Sequence, residues 1–341
     1  MNCFFYDKKG SKYFSKVDAL NDSQDVYLYY HDDYFINQNW KREPSDTLST
    51  LYKIRAQQIR DEYDHVIIAY SGGIDSTNVL ESFYYNNIHI DEILIVGAFK
   101  RDSKSGVDEN HNGEIYHNCF ETMKQLDLSK TKITLYDYTE DIKNCSLAKE
   151  DDWYKKVGSV FSFHNWFWYD IEKRFDQNKK TAIVFGIDKP IVFFDKKDRG
   201  YFNFLDICLF QYGMNVNKIS KKLNNISRIN FYWDPEASNI LIKQSHMLLS
   251  VYKNLLSNGV LHKQIYDNNK YILNKIIYPV NNPLTFNSPK SATRLLSLRD
   301  NYALKFTDFK ESLIYKNYIQ GLEKIKTIST KDIYSRRYYL E

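Results

Sequence analysis

Four apolar residues at positions 66–69 run directly into Tyr70-Ser71-Gly72-Gly73-Ile74-Asp75-Ser76, and then into Thr77-Asn78-Val79-Leu80-Glu81-Ser82-Phe83. An apolar run, a glycine pair and a helix-forming stretch in that order predict a buried strand, a tight turn and a helix. Adjacent glycines let the backbone bend sharply and leave amide N–H groups facing a concave nest. The helix behind them aims its positive dipole end and its unpaired amides at the same place. Hydroxyls on Ser71 and Ser76 add donors, and Asp75 can reach a divalent cation. The stretch suits a pyrophosphate group. It is not a Walker A loop, because no Gly-Lys-Ser/Thr follows the glycines.

The surrounding pattern repeats strand and helix. Residues 92–99 read as a second buried strand, 133–136 as a third and Thr181–Phe185 as a fourth. Between the second and third, Ile115, Cys119, Met123 and Leu126 recur at helical spacing, and residues 100–110 read as a loop. Alternating strands and helices predict an α/β fold with a parallel sheet and right-handed crossovers. A helix starting at residues 45–48, with Ser45 or Asp46 as N-cap and Leu48, Leu51, Ile54 and Ile59 as its apolar stripe, would lead into the first strand. Residues 151–176, 237–256 and 301–324 are further helix candidates, with His164 read as a core residue of the first. Positions 1–44 read as a strand or two or a cap, 45–200 as the nucleotide-type domain, and 201–341 as a mostly helical C-terminal region.

Composition narrows the function classes. With 47 basic and 43 acidic residues, net charge gives no general nucleic-acid footprint, though Lys218, Lys221, Lys222 and Arg228, or Arg336 and Arg337, could form local patches. Cys3, Cys119, Cys145 and Cys208 contain no C-x-x-C pair, so neither a disulfide framework nor a zinc site is expected. No signal-like start or bilayer-length apolar run is read, which leads to the expectation of a cytoplasmic protein with no membrane partner.

Ser71-Gly72-Gly73-Ile74-Asp75-Ser76 resembles the S-G-G-x-D-S loop of the N-type ATP pyrophosphatases. That superfamily includes asparagine, argininosuccinate, GMP and NAD synthetases and several tRNA-modifying enzymes. The resemblance implies a doubly wound parallel five-stranded sheet of the adenine nucleotide alpha-hydrolase type. It also implies ATP and Mg²⁺ as ligands, with ATP cleaved to AMP and pyrophosphate to activate a substrate oxygen for attack by an amine. Among the branches the chain is most similar to the synthetase half of asparagine synthetase, and it resembles the glutaminase-less asparagine-synthase-like proteins of large bacteriophages. The loop starts at Ser71 and Cys3 does not follow Met1 directly, so no glutaminase is expected; nitrogen would come from ammonia, a substrate amine or a separate partner.

A second turn follows the fourth strand, Gly186-Ile187-Asp188-Lys189-Pro190. In a parallel sheet it lies at the same edge as residues 71–76. Asp75 and Asp188 could then share Mg²⁺, and Lys189 could stabilise departing pyrophosphate. The asparagine-synthetase branch has G-E-G-S-D-E here; Gly186 and Asp188 fit it, but the glutamate has no equivalent, so asparagine is not implied as product. Gly200-Tyr201-Phe202 is loosely similar to that branch's G-G-Y. Val96, Gly97 and Ala98, ending the second strand, are the expected adenine-binding backbone. Lys243, Gln244 and His246 could contact a small-molecule acceptor, and Lys290 and Arg294 could bind phosphate or a carboxylate. Two other readings stay open: a nucleotide-binding regulatory protein, and a nucleic-acid-modifying ligase.

Overall fold

The computed structural model describes residues 3–97, 115–137, 174–176, 178–187, 190–206, 225–267, 276–278, 320 and 332–341. Its central element is a five-stranded, all-parallel sheet flanked by helices, an α/β arrangement. In chain order the sheet strands are β4 (His65–Ala69), β5 (Glu92–Gly97), β6 (Lys132–Asp137), β7 (Thr181–Phe185) and β10 (Ile226–Asn230), arranged β10-β7-β4-β5-β6. β4, β5 and β7 are apolar along almost their whole length because both faces of an interior parallel strand are covered. The edge strand β6 instead leaves Ile133 and Leu135 exposed. The fifth strand comes from beyond position 200, out of the region read as mostly helical.

This strand order contains one reversal. From β4 the chain steps outward to β5 and β6; from β7 it steps the opposite way to β10. Connections therefore diverge between β4 and β7, the kind of point beyond whose strand ends open α/β sheets commonly bind ligands. Residues 70–76 leave β4 at that point, and Gly186 leaves β7 beside them, since Ala69 and Phe185 are register partners.

Helix α3 (Leu48–Glu62) delivers the chain into β4. Its N-cap is Thr47, whose hydroxyl accepts from the Thr50 amide at 3.2 Å, instead of Ser45 or Asp46. Helical geometry begins only at Leu48, so Thr47 alone is placed to reach that amide. The buried face is Leu48, Leu51, Tyr52, Arg55, Ala56 and Ile59. Ile54 is 44% exposed, because at 100° per residue it lies well off the line through 48, 52, 55 and 59. Ile115–Cys119 is a π-helical turn running into α5 (Phe120–Met123). After β10, a 3₁₀ turn capped by Asp234 opens α6 (Ser238–Ser257), followed by α7 (His262–Asp267).

Two small antiparallel sheets complete the described fold. One holds β1 (Cys3–Asp7), β2 (Lys12–Tyr13) and β3 (Val26–Tyr30); α1 (Lys16–Asp22) and α2 (Asp32–Phe35) flank β3 in sequence. The other holds β8 (Val192–Phe194), β9 (Gly200–Phe202) and β11 (Tyr338–Tyr339). They share one aromatic core, in which Trp40 stacks on Phe202 and Tyr338 and Phe204 packs against Tyr30 and Phe35. Lys16 on α1 and Asp206, which bonds the Ile333 backbone, form a fully buried ion pair at 2.8 Å. Among the described residues no helix is long and apolar enough to cross a membrane. The expected helices at 301–324 and through most of 151–176, with His164, and the loop at 100–110 lie outside the described residues.

Candidate functional site

The turn after β4 is built mostly by its own polar groups. Tyr70 donates its amide to Leu94 O at 2.9 Å, tying the start of the turn to β5. Gly72 has φ +80°, a left-handed conformation that a side chain would strain, so this position requires glycine. Gly73 is extended and serves as the N-cap of α4 (Ile74–Tyr84), with no side chain to offer. The serines instead tie the turn to itself. Ser76 Oγ donates to Gly73 O at 3.0 Å and accepts from the Ser71 amide at 3.3 Å; Ser71 Oγ accepts from the Gly73 amide at 3.2 Å. The two hydroxyls lie 3.1 Å apart, and because the Ser76 proton goes to Gly73 O, Ser71 donates across that gap. Both hydroxyls, read from sequence as ligand donors, close the loop on itself here. The amides of the first helical turn have no carbonyl one turn behind them and remain the natural anion contacts.

Gly186 closes the other side. A methyl group at its α-carbon would lie 2.7 Å from Asp75 C, Asp75 O and Ser76 N. The turn after β7 and the first turn of α4 are thus in backbone contact, which only glycine permits. On the opposite flank, Ala69 is level with Leu94, so Val96 and Gly97 continue β5 past the end of β4 by on the order of 10 Å. Val96 is half-buried and Gly97 buried. Residues 71–76, Gly186, Val96 and Gly97 therefore share one sheet edge. Ala98, Asp188 and Lys189 lie outside the described residues.

Asp75, on the first turn of α4, is half-buried and held from below by residues distant in sequence. The Tyr278 hydroxyl donates to Asp75 Oδ1, and the Tyr232 hydroxyl donates to Asp75 O at 2.9 Å. Asn78, one turn along α4, donates to the Tyr232 oxygen at 2.9 Å. Burial, and then the Asp75 charge, push the Tyr278 hydroxyl well above the ordinary phenol range. Burial chiefly does the same for Tyr232, so both stay protonated donors. Sequence reasoning missed Tyr278, Tyr232 and Asn78. Only Asn78 carried a signal, its i+3 spacing from Asp75.

The weaker candidates have other partners. Lys243 bonds Pro44 O and pairs with Glu43, His246 bonds Trp40 O at 2.8 Å, and buried Gln244 donates to Tyr52. All three join α6 to residues 40–52. Gly200-Tyr201-Phe202 is strand β9, where Gly200 packs on Leu249. Arg228 is buried in β10, while Arg336 and Arg337 are exposed beside β11. Lys218, Lys221, Lys222, Lys290 and Arg294 lie outside the described residues. No family model matches the sequence, and no curated protein matches it. Among the described residues no three His, Cys, Asp or Glu side chains gather to hold a metal. A nucleotide-bound Mg²⁺ asks less: one or two carboxylates, the rest being phosphate oxygens and water. The half-buried Asp75 carboxylate on a helix's first turn is compatible with that.

Proposed function

We propose that this protein binds ATP at residues 71–76 and uses it as an AMP-forming ligase of the PP-loop type, on the adenine nucleotide alpha-hydrolase variant of the doubly wound fold. The observation that carries the reading is the meeting of two turns at the strand-order reversal. There the left-handed Gly72 and the Gly73-capped helix lie against a glycine that leaves no room for a side chain. Such a cradle of amides suits phosphates better than any side-chain chemistry nearby.

On this reading the first-turn amides of α4 bind and orient the phosphates, and Val96 and Gly97, continuing into Ala98, offer backbone to adenine. Asp75, with Asp188 after the second turn, would hold Mg²⁺, whose contribution is to neutralise phosphate charge. Lys189 would steady the departing pyrophosphate. A carboxylate or carbonyl oxygen of a small-molecule acceptor attacks the α-phosphorus, the bond to the pyrophosphate oxygen breaks, and an amine then displaces AMP. The chemistry depends on positioning and charge more than on a general base.

The test is incubation with ATP, Mg²⁺ and panels of carboxylate acceptors and amines, scored for AMP and pyrophosphate. Asp75→Asn, which keeps an oxygen for Tyr278, is expected to abolish AMP formation while its thermal transition stays near wild type. Undiminished turnover in that variant would refute the assignment. Nucleotide binding without turnover under every acceptor would instead favour a nucleotide-responsive regulator, the reading suggested by the missing glutamate after Gly186.

A further inference from the structure

We infer that Tyr278 is a positioning residue for Asp75, fixing the carboxylate so that divalent-cation affinity at the loop depends on the C-terminal part of the chain. The inference rests on the nucleotide reading above and adds a residue and a dependence to it.

The geometry runs in two short chains of hydrogen bonds. Gln244 on α6 donates to the Tyr52 hydroxyl at 2.9 Å, and Tyr52 on α3 donates to Ile277 O at 2.9 Å. The backbone next to Tyr278 is thereby pinned from two helices. From that fixed point the Tyr278 ring, 4% exposed, reaches the Asp75 carboxylate. In the second chain Asn78 donates to Tyr232, and Tyr232 donates to the main-chain oxygen of Asp75. The Tyr232 and Tyr278 rings pack 6.0 Å apart, so the two chains brace each other. Asp75 is thus held at its backbone by one tyrosine and at its carboxylate by another.

Nothing about burial demands this. A hydroxyl-free ring would fill either place, and a buried hydroxyl could be satisfied by a nearby carbonyl, as Tyr52 is. Aiming a neutral O–H donor at one oxygen of a carboxylate restricts its rotation without cancelling its charge. Partners of this kind around metal-binding carboxylates typically matter by about 10–100-fold in metal affinity.

The experiment uses the full-length protein with α,β-methylene-ATP, which resists cleavage at the bond in question, and Mn²⁺ as a paramagnetic stand-in for Mg²⁺. Mn²⁺ is titrated at saturating analogue and followed by electron paramagnetic resonance, while metal-free analogue binding is measured by calorimetry. Tyr278→Phe is expected to weaken Mn²⁺ binding by about 10–100-fold and to leave metal-free analogue binding unchanged. Tyr52→Phe, which releases Ile277 but keeps the Tyr278 hydroxyl, is expected to shift Mn²⁺ affinity in the same direction by less. Wild-type Mn²⁺ affinity in both variants overturns the inference and leaves the nucleotide reading standing. So does tighter Mn²⁺ binding by Tyr278→Phe, which would make Tyr278 a competitor for the carboxylate. Equal loss of metal-free binding would mark a general structural effect and overturn it as well. Failure of the wild-type protein to bind the analogue at all defeats the nucleotide reading and the inference together.

Discussion

Replacing Gly186 with alanine sets two effects of opposite sign against each other. Gly186 does not occupy a left-handed φ, so the backbone there accepts an L-residue. At such a position alanine ordinarily stabilises a protein by about 0.4–1 kcal/mol, because it narrows the unfolded ensemble. Space decides otherwise. The new methyl would stand 2.7 Å from three backbone atoms, whereas ordinary van der Waals contact begins at 3.4 Å. Backbone cannot rotate away as a side chain can, so the first turn of α4 or the turn after β7 must shift by roughly 0.7 Å. Overpacking of this kind costs about 1–3 kcal/mol. Urea denaturation followed by tryptophan fluorescence should therefore show Gly186→Ala less stable than wild type by about that amount. Because the displaced atoms belong to Asp75 and Ser76, the same shift on the proposed reading should lower AMP formation by on the order of 10²-fold. A variant as stable as wild type, or more stable, would refute the claim that the two turns are in backbone contact.

Two further outcomes test the fold. Glu81, nine-tenths buried on α4, has its carboxyl raised by burial to about 7, so the folded state keeps a proton that the unfolded chain loses near 4.5. That stabilisation is complete below the unfolded value and disappears as pH rises toward 7, at about 1.4 kcal/mol per pH unit, or roughly 3 kcal/mol in all. In urea titrations across pH, Glu81→Gln should match wild type near pH 4 and exceed it above pH 7; parallel pH profiles would contradict this. Asp206→Ala strands the buried Lys16 ammonium without its partner, both side chains being at 2% exposure or less, and should cost about 3–5 kcal/mol by the same assay. A change within experimental scatter would show that the pair is solvated.

The sequence made the sheet readable because interior parallel strands are continuous apolar runs, and residues 66–69, 93–96 and 182–185 are such runs. β10 escaped because Ile226-Ser227-Arg228-Ile229-Asn230 breaks that pattern with polar residues; Arg228 and Asn230 are buried all the same. The Asp75 loop was legible through Gly72 and Gly73, since left-handed and closely approached backbone leaves a mark in residue type. Gly186 was legible for the same reason. The tyrosines beneath Asp75 were not, because contact between positions 75, 232 and 278 is a property of tertiary packing. Among 29 tyrosines nothing local sets those two apart. The N-cap of α3 was misassigned because Ser45, Asp46 and Thr47 all suit the role, and only the onset of helical geometry at Leu48 separates them.

The way the loop is tied also bears on what it would accept. Ser71 and Ser76 hold the turn in shape through mutual bonds, so a phosphate would be met by preformed amides, without first ordering the backbone. Yet the same turn carries Asp75 at half exposure, and two unit charges of like sign 4 Å apart repel by about 4 kcal/mol at the dielectric of a protein surface. A bare phosphate in the nest would meet repulsion of that sign, reduced by solvent because Asp75 is partly exposed. A phosphate accompanied by a divalent cation would turn it into attraction, and a carboxylate held still by Tyr278 would lose little freedom in making the contact. On the proposed reading, nest, carboxylate and tyrosine together therefore fit a cation-complexed nucleotide better than the same nucleotide without its cation.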